Sequence, residues 1–189
     1  MKSESISKHF HTLNQQRSQF LPKLQSLPQE ELWHRNKNGK WSIGEHLYHL
    51  YLIAKMLKVA IKFSLTLLPY AKIRRNAPFA TEIHDIYAEY KEKNGKGMKA
   101  PWILVPSKKI YYSMDSKELE RLLVNETNAI EVCVQNIEEN IAGHIVFLYP
   151  IAKYPNLIQA IQLLAIHENH HFLIIENIYK TMHARSIEV

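Results

Sequence analysis

Four long stretches of this 189-residue chain carry apolar side chains at three- and four-residue steps, the spacing of one face of an α-helix. They cover approximately residues 5–27, 42–69, 115–143 and 156–183. Strand patterns are scarce. Amphipathic helices must bury their apolar faces against one another, so we predict an all-α protein. The expected architecture is a four-helix bundle with a long connection between helices 2 and 3, in a single domain spanning residues 1–189.

Polar side chains mark where three of these helices begin. In a capping box, one side chain caps the first turn and a second, three residues later, bonds back to the cap. Three such pairs are present: Ser42 with Glu45, Asp115 with Glu118, and Asn156 with Gln159. Pro22 predicts a bend in the first helix, because proline has no N–H for the helical hydrogen bonds. Gly143 is expected to end the third helix.

The connection over residues 70–112 contains several prolines and glycines. A short helix is predicted at 80–93, followed by a loop over 94–109. Loops of this length in compact domains are more often functional than not.

Composition and charge limit the cellular compartment and the kinds of partner that we expect for this protein. Cys133 is the only cysteine, and the polar opening MKSESISKHF is unlike a secretory signal, so we expect a cytoplasmic protein. The longest apolar stretch is interrupted by Lys55, Lys58 and Lys62, so it is not a membrane span and we expect no membrane partner. The net charge of +6 comes from cations spread along the chain, which disfavours nucleic-acid binding.

The segment HENHH places two histidines on the apolar stripe of the fourth helix. His167 and His171 are four residues apart, so their side chains point to the same place. They are either core histidines bonded to backbone carbonyls or ligands of one shared metal, which would satisfy both at once. The second helix supplies His49 as a third ligand. Three imidazoles with one open position are typical of a catalytic zinc site.

Four further polar residues lie close to these histidines in the sequence. Glu45 is interpreted chiefly as a helix cap, with orientation of His49 as the alternative. His46 could be a fourth ligand, a general base or a residue at the rim, and we favour the rim. Glu168 is expected to be exposed beside the pair, and His170 is expected to face sideways towards another helix or subunit.

The segments WSIGEHLYHL and LLAIHENHHFLIIENI, in this order, resemble the DinB/YfiT-like superfamily of metal-dependent four-helix-bundle proteins. The residues that match its pattern are Trp41, Ser42, His49, Leu50, His167 and His171. The resemblance implies that these three histidines hold a divalent metal, commonly zinc or nickel, at the mouth of the bundle. The resemblance also implies that the protein forms dimers. The members of this family include thiol-dependent transferases and isomerases.

These observations leave two main functional hypotheses. In the first, the protein is an enzyme whose metal activates water or a low-molecular-weight thiol for attack on a small electrophilic substrate, as a thiol transferase or hydrolase. In the second, the site holds a metal or ligand without turnover. The motif His-Glu-x-x-His also occurs in zinc peptidases. In many of these a glycine and a third histidine follow the motif, but this chain has Ile174 and Asn177 at those positions, and no strand pattern precedes the motif. We therefore disfavour a peptidase, and assign no catalytic residue.

The second and fourth helices carry more apolar surface than one core can cover. On the fourth helix, a second stripe of Leu163, Ile166, His170 and Leu173 lies beside the histidine stripe. Large exposed apolar patches are rare on monomers. We therefore expect a two-fold homodimer that packs through one of these second faces.

Overall fold

The computed structural model describes residues 1–35, 39–83 and 100–184, and in these ranges the chain is all-α, as predicted. The only β-type pairing in the described ranges is an isolated bridge between Val146 and Asn156. The helices are α1 (Glu4–Phe20), α2 (Gln29–Leu32), α3 (Ile43–Ser64), α4 (Leu68–Ile73), α5 (Ser116–Val134), α6 (Glu139–Ala142) and α7 (Leu157–Ala184). The four long helices, α1, α3, α5 and α7, correspond to the four predicted patterns.

Three of the four long helices are shorter than their apolar patterns. α1 stops at Phe20 and passes into a 3₁₀ turn that contains Pro22. α3 stops at Ser64, and Pro69 lies in the first turn of α4, where a missing N–H costs nothing. α5 stops at Val134, yet the apolar pattern continues because a turn and α6 still carry Ile137 and Ile141 into the core. On the third pattern, periodicity therefore marked buried positions beyond the end of α5 but not the break in the backbone.

The predicted caps are present, with one difference. Ser42 and Glu45 form a reciprocal capping box at α3, and Asn156 and Gln159 exchange two hydrogen bonds of 3.0 Å at the start of α7. At α5, the Asp115 carboxylate accepts from the N–H of residue 118. The Glu118 side chain instead lies 3.6 Å from Arg121 on the next turn.

The long helices share one apolar core. α3 packs against both α5 and α7, and α1 packs against α7. Fully buried side chains from all four helices meet there, among them Leu13, Leu47, Leu123 and Ile161. Since α3 and α7 are neighbours, groups on their facing sides can form one site.

The start of α3 is held tightly against the segment before it. The Trp33 ring packs so closely on Gly44 that a Cβ there would lie 2.9 Å from the ring. The Trp33 indole N–H donates to the Met114 carbonyl at 2.9 Å. A side chain at position 44 would push the first turn of α3 away from this anchor, so glycine is required for the close approach.

The connection between α3 and α5 is described only in part. The predicted helix at 80–93 lies mostly outside the described residues. Residues 100–110, which include the described part of the predicted loop, contain two short 3₁₀ turns, Trp102–Leu104 and Lys108–Ile110. Among the described helices, none combines the length and apolar character needed to cross a membrane.

Candidate metal centre

The structure brings together the three histidines that the sequence singled out. His49 lies on α3, and His167 and His171 lie one turn apart on α7. One ring nitrogen from each lies within 4.8 Å of the other two. The ring centroids are 4.6 to 5.3 Å apart. His49 and His171 are buried, and His167 is half-buried. This set of side chains is called the histidine trio below.

One pair in the trio already has the spacing of two metal ligands. Nε2 of His49 and Nε2 of His167 are 3.2 Å apart. Two nitrogens bound at zinc–nitrogen distances to a tetrahedral ion are separated by about 3.3 Å. Two nitrogen lone pairs this close repel each other unless a proton or a cation lies between them. The geometry therefore suits a bound cation.

A main-chain carbonyl orients His49. Its Nδ1 lies 2.8 Å from the carbonyl oxygen of Leu104, in the 3₁₀ turn Trp102–Leu104. A carbonyl only accepts, so Nδ1 carries the proton and Nε2 of the neutral ring presents its lone pair to the trio. Metal-binding histidines commonly bond their second nitrogen to such a partner. The connection between α3 and α5 thus contributes to the site through its backbone.

His46 is not at the rim as predicted, because its side chain is buried against His171. It lies one turn before His49 on α3 and is only 7% exposed. The Nδ1 atoms of His46 and His171 are 2.8 Å apart, so one ring donates to the other. This contact uses Nδ1 of His171 and leaves its Nε2 for the trio. His46 is thus a hydrogen-bonding partner of a trio member.

Burial keeps these imidazoles uncharged at neutral pH. Burial, together with the nearby histidines, lowers the pKa of His167 to about 3 and that of His46 to about 4. Burial also lowers the pKa of His49, against the opposing effect of its bond to the Leu104 carbonyl. The pKa of His171 is lowered by burial and by the neighbouring imidazoles. Neutral imidazoles are the form that binds a metal ion.

Glu168 was expected to be exposed, and this prediction is wrong. Its carboxylate is fully buried and forms a bidentate ion pair with Arg17 of α1, with both distances 2.7 Å. Arg17 also donates to the Thr127 hydroxyl of α5 at 2.8 Å. Burial raises the pKa of Glu168, while Arg17 acts in the opposite direction. The carboxylate is therefore committed to a bridge between helices.

The Glu45 carboxylate serves the helix cap and an ion pair rather than His49. It accepts from the N–H of Ser42 at 2.9 Å, from Arg35 and from the Tyr111 hydroxyl. Burial opposes ionisation, but these hydrogen bonds hold the pKa of Glu45 below its ordinary value. Burial and the adjacent carboxylate raise the pKa of Tyr111 to about 12. Arg35 and Tyr111 were not predicted as partners of Glu45, because neither stands at a recognisable spacing from it in the sequence.

Two aromatic groups flank the histidines. The half-buried Trp41 ring lies 5.0 Å from the His49 ring and 5.4 Å from the His46 ring, between centroids. His170 is half-buried and meets the His171 ring edge-on at 5.5 Å. The predicted sideways orientation of His170 therefore still leaves it beside the trio. Trp41 belongs to the matched sequence pattern, but only the fold shows that it covers the imidazoles.

Fold and site together define an all-α protein with a three-histidine cluster between two neighbouring helices. The family model of the DinB superfamily matches residues 12–175, which is most of the chain. The chain therefore belongs to the DinB superfamily. Comparisons with curated proteins and with solved structures found no match.

Proposed function

We propose that this protein is a divalent-metal-dependent enzyme in which His49, His167 and His171 hold the metal. The convergence of three neutral imidazoles on one point carries the proposal. When bound, a zinc or nickel ion with three protein ligands would lower the pKa of a water or thiol in its open position and make it nucleophilic. The reaction we propose is attack on a small electrophilic molecule, by a low-molecular-weight thiol in a transferase or by water in a hydrolase.

The hydrogen bonds of the second nitrogens support this assignment. The Leu104 carbonyl holds the tautomer of His49 in which Nε2 is a ligand. His171 with Nε2 on a metal would donate from Nδ1 to Nδ1 of His46, which would then carry its own proton on Nε2. Such partners orient the ligands and raise their basicity. Two of the three proposed ligands therefore have their outer partner in place.

The buried ion pair of Glu168 argues against a peptidase. In peptidases with the His-Glu-x-x-His motif, the glutamate acts as general base on the metal-bound water. Here both carboxylate oxygens accept hydrogen bonds from Arg17, and the side chain is fully buried. A base in that position could not reach the water without breaking the ion pair. The motif is therefore interpreted as two ligands at helical spacing with a structural glutamate between them.

An enzyme is favoured over a passive metal holder by what surrounds the trio. His46 and His170 place two more imidazoles beside His171. Trp41 provides an aromatic wall. A metal holder needs only the ligands, whereas an enzyme needs further groups that can bind substrate or carry protons.

Metal titration tests the ligand assignment. Wild-type protein, cleared of metal with a chelator, should bind one equivalent of zinc or nickel in competition with a chromophoric chelator. His171→Ala should lose about two orders of magnitude or more in affinity, yet remain folded by circular dichroism, because its helices keep their apolar faces. The matched control is His34→Ala, which removes an exposed histidine outside the trio. Equal affinities for wild type and His171→Ala would refute the ligand assignment.

Turnover is tested separately with the metal-loaded protein. Low-molecular-weight thiols should be offered with electrophiles such as epoxides and maleimides, and activated esters should be offered with water alone. We expect metal-dependent turnover that His171→Ala loses and His34→Ala retains. Tight metal binding without turnover in either panel would support the non-catalytic alternative.

A further inference from the structure

One end of the molecule, far from the histidine trio, exposes large apolar side chains. It is built from the last turn of α3, from α4 and from the segment 146–154. Phe63 is 78% exposed, Ile73 is 83% exposed and Leu148 is 91% exposed. Phe63 lies fourteen residues after His49, or about 21 Å along α3 at the helical rise. We call this region the apolar end.

The two parts of the apolar end adjoin each other. α4 and the segment around residue 146 line a common cavity of about 310 Å³, with Leu67, Tyr70, Arg74, His144 and Val146 in its wall. The side chains of Leu67, Tyr70 and Val146 are themselves exposed. The exposed side chains of Leu67, Tyr70 and Val146 therefore share one surface that joins the two parts of the apolar end.

The same end is strongly basic. The sequence contains no Asp or Glu over residues 46–81 or over residues 140–167. The exposed cations of the apolar end are Lys62, Lys72, Arg74, Arg75 and Lys153. Of the described acidic residues that flank these segments, Glu82 contacts Lys8 and Gln162, Glu139 accepts from Ser3 and Ser5, and Glu138 is exposed. The surface thus combines exposed apolar side chains with five exposed cations.

A second copy of the chain does not suit this surface. A two-fold contact would bring the same five cations of each copy together, and like charges that face each other across an interface repel. An anionic lipid surface complements both features, because basic amphipathic surfaces insert apolar side chains at the headgroup boundary while their cations attract lipid phosphates.

We propose that the apolar end docks on an anionic lipid membrane surface. Phe63, Ile73 and Leu148 would enter the headgroup region, and the five cations would contact lipid phosphates. The histidine trio, about 21 Å away along α3, would stay clear of the bilayer. This inference is independent of the proposed enzymatic function. It revises the expectation of no membrane partner, which was based on the lack of a spanning segment and not on surface contact.

Vesicle flotation tests the proposal with the full-length protein. We expect it to float with vesicles of equal parts phosphatidylglycerol and phosphatidylcholine, and to stay behind with vesicles of phosphatidylcholine alone. Raising NaCl from about 0.05 M to about 0.5 M should lower the bound fraction about tenfold or more, because salt screens the attraction. Absence of binding to the anionic vesicles at low salt would overturn the proposal.

Variants identify the surface that binds. The double variant Phe63→Ser/Ile73→Ser should bind anionic vesicles about tenfold more weakly or worse. The matched control is Val132→Ser, which removes an exposed apolar side chain from α5. Lys72→Gln/Arg75→Gln should weaken binding and flatten its salt dependence, whereas Lys117→Gln on α5 should change neither.

Far-ultraviolet circular dichroism provides a folding control for these variants, because their spectra should match that of wild type. Equal vesicle binding by wild type and Phe63→Ser/Ile73→Ser would show that another surface binds lipid and would refute the proposal. It would also be refuted if wild type did not bind vesicles and the double variant changed only the oligomeric state in light scattering. That result would assign the surface to a second copy.

Discussion

Removal of Arg17 is predicted to destabilise the protein strongly, because it leaves a buried carboxylate without its cation. Glu168 is fully buried, and Arg17 is only 5% exposed. Breaking a buried ion pair by removing one partner typically costs about 3–5 kcal/mol. Arg17→Met should therefore lower the free energy of unfolding by about this amount. The measurement is urea denaturation of metal-free protein, followed by far-ultraviolet circular dichroism.

The pH dependence of this loss distinguishes a stranded charge from a simple packing defect. Without Arg17, burial would raise the pKa of Glu168 further above its unfolded value of about 4.3. The folded state then holds a proton that the unfolded state releases, so stability is lost as pH rises towards the folded pKa. The difference between wild type and Arg17→Met should grow between about pH 5 and about pH 8. The histidines are the same in both proteins, so their contribution to the pH dependence of stability cancels in this difference.

The double variant Arg17→Met/Glu168→Met completes the cycle. With both charges removed, no buried group is left unpaired, so the double variant should be more stable than Arg17→Met alone. A loss below about 1 kcal/mol for Arg17→Met at neutral pH would refute the reasoning, since that is the range of an exposed ion pair. A double variant no more stable than the single one would also refute it.

Three further predictions concern the site and the assembly. His46→Ala should weaken zinc binding about 10- to 100-fold in chelator competition, as expected for loss of a ligand's hydrogen-bonding partner; unchanged affinity would show that the contact with His171 does not orient it. Metal-free protein should lose stability as pH falls below about 6.5, because the histidines bind protons in the unfolded state but stay neutral when buried in the folded state. Urea titrations between about pH 7 and about pH 4.5 measure this loss, which should be smaller in His46→Asn. A stability that does not change with pH would contradict the prediction. We also expect a two-fold homodimer through the second face of α7, where Leu173 is half exposed; Leu173→Asp should yield monomers in light scattering, and a monomeric wild type would exclude the dimer.

Much of the fold could be predicted from local pattern. Helix identity follows from the spacing of apolar residues, and the starts of α3 and α7 follow from side chains that bond only three residues away. The pairing of His167 with His171 is also local, because a helix places residues four apart on one side. His49 was selected through the family pattern and its position on an apolar face. These conclusions need only the geometry of a single helix.

What lies beside each site residue was decided only by tertiary structure. Glu168 meets Arg17 across 151 positions of sequence, and His46 meets His171 across 125. The carbonyl that orients His49 belongs to Leu104, and every residue has a carbonyl, so no residue type marks it in the sequence. Such contacts depend on how the helices pack and on where the connecting segment crosses α3. For this protein the sequence alone determined the helices and the candidate ligands. Packing determined which side chains are buried, paired and oriented around those ligands, because these contacts join residues that are far apart in the sequence and share no helical spacing.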